Sequence, residues 1–476
     1  MSRTVVIPTT GGTSRAAVAV AASGAFLAFL DATIVNIAFP ALSASFAEAS
    51  RSELSWVLDA YFVVIAALLV PAGGVADRIG VRRAFVWSVA AFGITSLLCA
   101  LAPTWQLLVA ARVLQAASAA CIAPTSLTLV IRAFAPEKRT SATTIWGASA
   151  ALAAAIGPTL GGALVEVTDW RWIFLINAPL CLVIVLLARG RLPETTPSSD
   201  GLPDLLGALL VAVALGALTL GIVEGPTWGW LSAGTLGVWG LAVVAGAVVL
   251  RRQRTHPRPV VPRGLGSAQG YLVGNLGTFV FSMAFFATIL GNVLFLTSVW
   301  GYSALEAGAA SAPGPIVTTL VGAVAARLVA RAGFGPLIAA GAVVYAAGIL
   351  VLRSAGPTPD YVGTWLPGMM LCGLAIGLAY PTLGSAAVAA VDAAHLATAS
   401  AVNAAYRQVG AALGTALLVV IVGSPTTLAG ALSASDDAYL FSAGCALLAA
   451  VVALPLGLRG RETRTADAAT PTVEPV

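Results

Sequence analysis

The sequence predicts an all-α protein embedded in a membrane, and three observations carry that reading. Of 476 residues, 59% are apolar and 9% are charged, with a mean hydropathy of +0.94, whereas a soluble domain carries about 25% charged residues. The apolar residues fall in continuous runs near the roughly 20 that a helix needs to cross the hydrocarbon core. Strands of a membrane barrel would alternate apolar and polar over about ten residues, and these runs do not alternate. So few charges cannot cover a water-facing surface, which excludes a cytosolic enzyme, a disordered chain and a secreted module. The abundant Gly (49) and Pro (26) follow no collagen-like period and suit membrane helices.

Reading the runs in order places fourteen spans near 16–38, 54–76, 84–102, 105–131, 142–165, 172–188, 204–223, 233–250, 270–297, 306–329, 335–353, 361–386, 398–423 and 438–459. Span 1 is too long for the apolar core of a signal peptide and carries Asp31, so a retained anchor is expected. An even count puts both termini on one side. With that side cytoplasmic, 20 of the 25 Lys+Arg fall in tails, inner loops or the inner ends of spans. Three (Arg51, Arg171, Arg353) fall outside, and Arg112 and Arg407 lie within spans. This fits the positive-inside rule, so the net charge of +5 is an orientation signal and not a nucleic-acid footprint. Trp56, Trp105, Trp170, Trp172, Trp228, Trp230, Trp300 and Trp365 cluster at the opposite ends as an aromatic belt.

Spans 1–6 (16–188) and 9–14 (270–459) form two six-helix sets, with a two-helix hairpin (204–250) inserted between them. An N-tail (1–15), a linker (189–203), a basic loop (251–269) and a C-tail (460–476) complete the expected organisation, all cytoplasmic. A weak internal repeat supports two halves. Gly73-Gly-Val-Ala-Asp77-Arg78-Ile-Gly80 follows span 2, and Ala326-Arg327-Leu-Val-Ala330-Arg331-Ala-Gly333 follows span 10. Parallel six-helix repeats are one transporter architecture, with the cargo site at the midplane between them.

Cys99, Cys121, Cys181, Cys372 and Cys445 each sit alone in an apolar run and read as small hydrophobes. With two histidines, His256 and His395, neither a zinc site nor a Ser-His-Asp triad is expected. No cofactor is expected either, and the absence of a nucleotide-binding motif argues against ATP drive.

Charges inside spans are costly and so are functional candidates. Asp31 lies nine residues before Pro40 near the outer end of span 1, and Arg112 nine residues after Pro103 at the outer end of span 4. At 1.5 Å per residue both lie roughly 13 Å below the outer surface, so they can meet. Asp59 in span 2 is somewhat shallower. Burial and a neighbouring Arg act in opposite directions on a carboxyl, so opening to water on alternate sides would let Asp31 or Asp59 load and release a proton. The rival reading is a fixed Asp31–Arg112 ion pair locking two helices. Arg407 either lines the cavity or satisfies carbonyls at a helix break. Gly373-x-x-x-Gly377 and Gly410-x-x-x-Gly414 permit close helix packing. Phe281 and Phe285 of span 9, with Asn36, Gln115 and Tyr406, are candidates for lining a cargo cavity.

Several motifs resemble the major facilitator superfamily, specifically its 14-helix drug:proton antiporter branch. They are Leu30-Asp31-Ala-Thr33-Ile-Val-Asn36-Ile-Ala-Phe-Pro40, Gly73-Gly74-Val-Ala-Asp77-Arg78-Ile-Gly80-Val81-Arg82-Arg83, Arg112-Val-Leu-Gln115-Ala116, Gly157-Pro158-x-x-Gly161-Gly162, and Trp170-Arg-Trp172-Ile-Phe-Leu-Ile-Asn177-Ala-Pro179. Val81 replaces a usual basic residue and Ala116 a usual glycine. The resemblance implies a major-facilitator-type fold in a bacterial cytoplasmic membrane and proton-coupled export of amphipathic drugs, antibiotics or dyes. It implies a cytoplasmic gate at Gly73, Asp77, Arg78, Gly80 and Arg82, and an Arg112 that tunes the proton-binding acid. It also ties Gly157, Pro158, Gly161 and Gly162 to export. Protons, the bilayer and a small amphipathic molecule are the expected partners, with a monomer as the working unit. A metabolite symporter or facilitator would keep the fold without the span 1 and span 5 signatures. A membrane enzyme or sensor would need a catalytic constellation or soluble domain that the chain does not offer.

Overall fold

The computed structural model describes residues 15–134, 139–192, 204–257, 259, 269–389, 391 and 396–456. The tails and most of the two long basic loops anticipated above lie outside them. The described chain forms α1 (Arg15–Ser45), α2 (Arg51–Ile79), α3 (Val81–Ala100), α4 (Trp105–Arg132), α5 (Arg139–Val167), α6 (Trp172–Leu175), α7 (Asn177–Arg191), α8 (Leu205–Trp228) and α9 (Ala233–Thr255). It continues as α10 (Gln269–Ser298), α11 (Ala304–Ser311), α12 (Pro313–Ala332), α13 (Phe334–Arg353), α14 (Leu366–Val388, entered through a π-helical turn at Tyr361–Trp365), α15 (Leu396–Val422) and α16 (Leu428–Ala453). Among the described residues twelve helices are long and apolar enough to cross a membrane. α5 and α12 stand where two further spans were predicted without meeting that test. The last span begins ten residues earlier than predicted, at Leu428 behind the Thr427 cap. Asp436 and Asp437 hid that turn from a hydropathy reading, and Asp436 faces Arg353 at 3.6 Å on the surface.

Two bundles follow from the packing. α1, α2, α3, α4, α5 and α7 form the first, with α1 against α5 and α4, and α3 against α4 and α7. α10, α12, α13, α14, α15 and α16 form the second. Local chemistry repeats between them. Ser50 and Glu53 make a capping box at the start of α2, and Ser303 and Glu306 make the same box at the start of α11. Gly80 alone separates α2 from α3 with φ 94°, and Gly333 alone separates α12 from α13 with φ 83°. Both turns need a backbone conformation that a Cβ disfavours. The repeat seen as a trailing glycine is therefore a matched pair of helix junctions.

The bundles meet along two seams, α2 against α15 and α5 against α11 with part of α12. The α8–α9 hairpin leans with α8 on both α2 and α15, alongside the first seam. α9 turns most of its apolar side chains outward, including Leu236, Leu241, Val243, Val244 and Leu250. That is a liability in water and the normal state in lipid. Gly221 and Gly225 leave space for Trp239 and Trp230, whose rings lie 6.2 Å apart. At the other end of the hairpin Asp204 caps α8 through the Gly207 amide (2.8 Å) and binds Arg252 on α9 (2.6 Å). Hydrogen bonding from Arg252, with the Gly207 amide, holds the Asp204 carboxyl below its usual range.

Candidate functional site

α1 crosses the first bundle and carries Asp31 into its interior. The carboxylate is fully buried. Arg112 Nη1 on α4 donates to Asp31 Oδ2 at 2.6 Å, while Gln115 Nε2 (3.0 Å) and Asn177 Nδ2 (3.1 Å) donate to Oδ1. Arg112 is equally enclosed. Its Nη1 also reaches Gln115 Oε1 at 2.6 Å, its Nε donates to the Val57 carbonyl of α2 at 3.0 Å, and its guanidinium lies 4.0 Å over the Tyr61 ring. Gln115 Nε2 donates to Ser96 Oγ of α3 at 2.7 Å. Helices α1, α2, α3, α4 and α7 thus converge on one ion pair whose polar atoms find short partners. Such a cage is what a buried charge pair needs to offset its desolvation. Asp31 and Arg112, at equal depth by residue count, are in direct contact.

Asp59 is also fully buried, on the α2 face shared with Ser55 and Phe62. Ser55 Oγ donates to its Oδ2 at 2.9 Å, and its Oδ1 has no hydrogen-bond partner. Phe62, one turn on, packs on Phe286 of α10 at 5.0 Å, so this face looks across the seam between bundles.

The glycines of span 5 divide their work between two neighbours. A Cβ at Gly157 would strike Thr33 Oγ1, and one at Gly161 would come within 2.6 Å of Ile34 Cγ1, both on α1. A Cβ at Gly162 would strike the Ala304 carbonyl, and Gly308 meets the Pro158 carbonyl in the same way. Glu166 Oε2 accepts from the Leu305 amide at 3.2 Å. Across the other seam Arg51 Nη1 donates to the Gly423 carbonyl at 3.2 Å. The contacts that cross between bundles, at Gly162, Gly308, Glu166 and Arg51, lie toward the Trp-rich ends of the helices, where the two bundles are sealed together.

At the Arg-rich end the loop motif sits at the α2–α3 junction. Asp77 and Arg78 are exposed, the space within 4 Å of a Cβ on Gly73 is open, and Arg82 donates to the Arg189 carbonyl at the end of α7. Gly373 and Gly377 pack on α12, and Gly410 and Gly414 on α10, each against backbone. The small-residue spacing is therefore occupied by close helix contact.

Between the bundles near mid-depth, Arg407 and aromatic side chains that stay partly exposed border a gap. Arg407 is half-buried on an unbroken α15, with its guanidinium 5.7 Å from the Phe29 ring of α1. No helix break lies at Arg407 for it to satisfy. Phe29 also meets Trp146 of α5 at 6.2 Å. Phe285 packs on Tyr380 of α14 (5.5 Å) and on Phe286 (5.1 Å), and the Tyr380 hydroxyl lies 2.9 Å from Ser282 Oγ. Phe285 and Tyr406 are partly exposed here. The other predicted lining residues are not. Gln115 belongs to the Asp31 cage, Asn36 donates to the Ala32 carbonyl of its own helix at 3.0 Å, and Phe281 is buried between Tyr345 and Tyr380. Asn177, Ser96, Phe29 and Tyr380 escaped a sequence reading of the site. Asn177 alone had a signal, as an amide in an apolar span within a quoted motif.

Two bundles sealed together toward one end, with a buried ion pair in one of them and partly exposed aromatic side chains between them at mid-depth, define a polytopic membrane transporter. The chain belongs to the major facilitator superfamily, whose family description matches residues 21–415. It is 33% identical over 406 residues to the methylenomycin A resistance protein of Streptomyces coelicolor, covering 85% of this chain and 84% of that one. It is 33% identical to the multidrug resistance protein Stp of Mycobacterium tuberculosis (88% and 76%), and 28% identical to the probable multidrug resistance protein EmrY of Escherichia coli (90% and 84%). Among solved structures it resembles a bacterial homologue of the human lysosomal transporter Spinster, in an inward-facing conformation. There the TM-score is 0.63 at 16% identity, over 97% of this chain and 100% of the other. The chain is a membrane transporter with drug-resistance relatives, and not an enzyme.

Proposed function

We propose that this transporter is a proton-coupled antiporter of a bacterial cytoplasmic membrane that exports amphipathic drugs, antibiotics or dyes by alternating access. Both termini face the cytoplasm, so the Trp-rich end is outside and the sealed seams close the outer side. Asp31 is the proton carrier, Arg112 sets its balance between charge states, and Asp59 is a second acid that meets water when the α2–α15 seam parts. Gly157, Pro158, Gly161 and Gly162 let α5 seat against α1 and α11 in the outward-closed state. Asp77, Arg78 and Arg82, on the Gly73–Gly80 turn, close the cytoplasmic side in the opposite state. The unit is a single chain.

The observation that carries this reading is the Asp31 cage. A bare carboxylate at membrane depth is expensive, and here every donor to it comes from one bundle, leaving the cargo gap on the other side of α1. That separation lets a proton and a cargo occupy different places in one rocking body.

The test is transport in everted vesicles under an imposed pH gradient. Asp31→Asn is expected to abolish gradient-driven accumulation of a fluorescent substrate dye, and Asp31→Glu to retain part of it. Undiminished proton-driven transport by Asp31→Asn would remove Asp31 from the mechanism.

A further inference from the structure

The chemistry of the gap names a class of cargo. This step takes the gap as the cargo site and so rests on the export reading above. Arg407 stands about 16 Å along α15 from Leu396, near mid-depth, where a guanidinium is costly unless something answers it. Among the described residues it makes no ion pair, and its guanidinium lies 5.7 Å from the Phe29 ring. The acids within the first bundle that could balance it are withdrawn. Asp31 is wholly enclosed by Arg112, Gln115 and Asn177, and Asp59 is wholly buried at the seam. The gap therefore presents one positive charge among the aromatic faces of Phe29, Phe285, Tyr380 and Tyr406.

From this we infer that the preferred cargo is an amphipathic organic anion, a carboxylate, sulfonate or similar group on an aromatic or otherwise apolar body, and not a lipophilic cation. A guanidinium offers a planar two-pronged donor to such a group. The Phe29 contact, weak at this distance, is the one a cargo displaces. Like charge excludes cations of the same shape, so discrimination comes from repulsion as much as attraction. The energetics agree. One proton entering against one monoanion leaving carries two elementary charges inward, so an inside-negative potential drives both legs.

Tetraphenylborate and tetraphenylphosphonium have nearly one shape and opposite charge. Their affinities for the purified full-length chain in detergent can be read from quenching of its Trp fluorescence. Tetraphenylborate, whose shielded charge takes no hydrogen bond and so reads the electrostatic part alone, is expected to bind at least about tenfold tighter than the phosphonium. Arg407→Gln brings the ratio to within about threefold, and Arg407→Lys keeps most of it. Ala404→Glu, one turn away, neutralises Arg407 in place and also removes the preference, which covers the case of an Arg407→Gln protein that fails to fold. Equal or tighter phosphonium binding by the unmodified chain, or a borate preference that survives either neutralising change, overturns the inference. These ratios need no gradient. Loss of proton-driven export with the borate preference intact would sink only the antiport reading, and proton-driven export with a phosphonium preference would sink only this one.

Discussion

Asp31 and Phe29 lie two residues apart on α1 and face opposite sides of it. Asp31 points into the first bundle toward Arg112, and Phe29 points into the gap toward Arg407. At 100° per residue, two residues are more than half a turn. One rigid helix therefore carries the proton candidate on one face and a cargo contact on the other. A rotation or tilt of α1 that changes one environment changes the other, which is a physical route for coupling them.

The cage predicts a non-additive pair. Asp31→Asn leaves Arg112 buried without a counter-charge, and Arg112→Gln leaves Asp31 likewise. Each is expected to cost on the order of 3–5 kcal/mol and to lower the melting temperature of the purified protein. The double substitution should recover much of that loss while transport stays absent. Additive losses would show that the two side chains do not share one energetic unit.

The sealed end predicts a conformational effect. Gly162→Ala places a methyl on the Ala304 carbonyl and Gly308→Ala places one on that of Pro158, so each should push the outer ends apart. Spin labels on Leu101 and Ser354, one at the exposed outer end of each bundle, should report a longer distance in either variant. Gly246→Ala, which meets nothing within 4 Å, serves as the control. An unchanged distance distribution for Gly162→Ala would separate this glycine from the seal.

The matched junctions predict matched costs. Alanine at Gly80 or Gly333 forces an L side chain into an extended positive-φ backbone that glycine almost alone adopts, at about 1–3 kcal/mol each. Thermal denaturation in detergent should show comparable losses for both. Stability equal to the unmodified chain would mean that the junctions relax without the glycine.

The hairpin clasp predicts a pH response. The Asp204 carboxyl is depressed in the fold by Arg252 and the Gly207 amide. A depressed acid stabilises above its unfolded value, about 3.9, and loses that contribution as pH falls through its folded value. The clasp should hold at neutral pH and lose its stabilising contribution progressively as pH falls below about 3.9 toward the lower folded value. Asp204→Asn keeps the cap and loses the charge pair, while Asp204→Ala loses both and should cost about 1 kcal/mol more. Identical melting of the two variants would remove the cap from the account.

The meeting of Asp31 and Arg112 was legible because helices are rods of fixed rise. Residue counts from Pro40 and Pro103 fix depth, and equal depth on neighbouring spans permits contact. Gln115 stands three residues on from Arg112 along the same face, yet the sequence offered it only as a cavity residue, and its bonds to Arg112 and Asp31 came from the structure. Phe281 and Phe285 looked alike in sequence. One turn apart on α10, one is buried against Tyr345 and the other is partly open to the gap.

The sequence by itself settled the membrane class, the place of most spans and that Asp31 and Arg112 could meet. Those follow from the hydrophobic effect and the helical rise, which act on each segment separately. Which way each helix is turned was decided by the tertiary structure, because rotation about a helix axis costs nothing until a neighbour is packed against it. That rotation hides Asp31, leaves Asp59 at the seam and turns Arg407 toward Phe29.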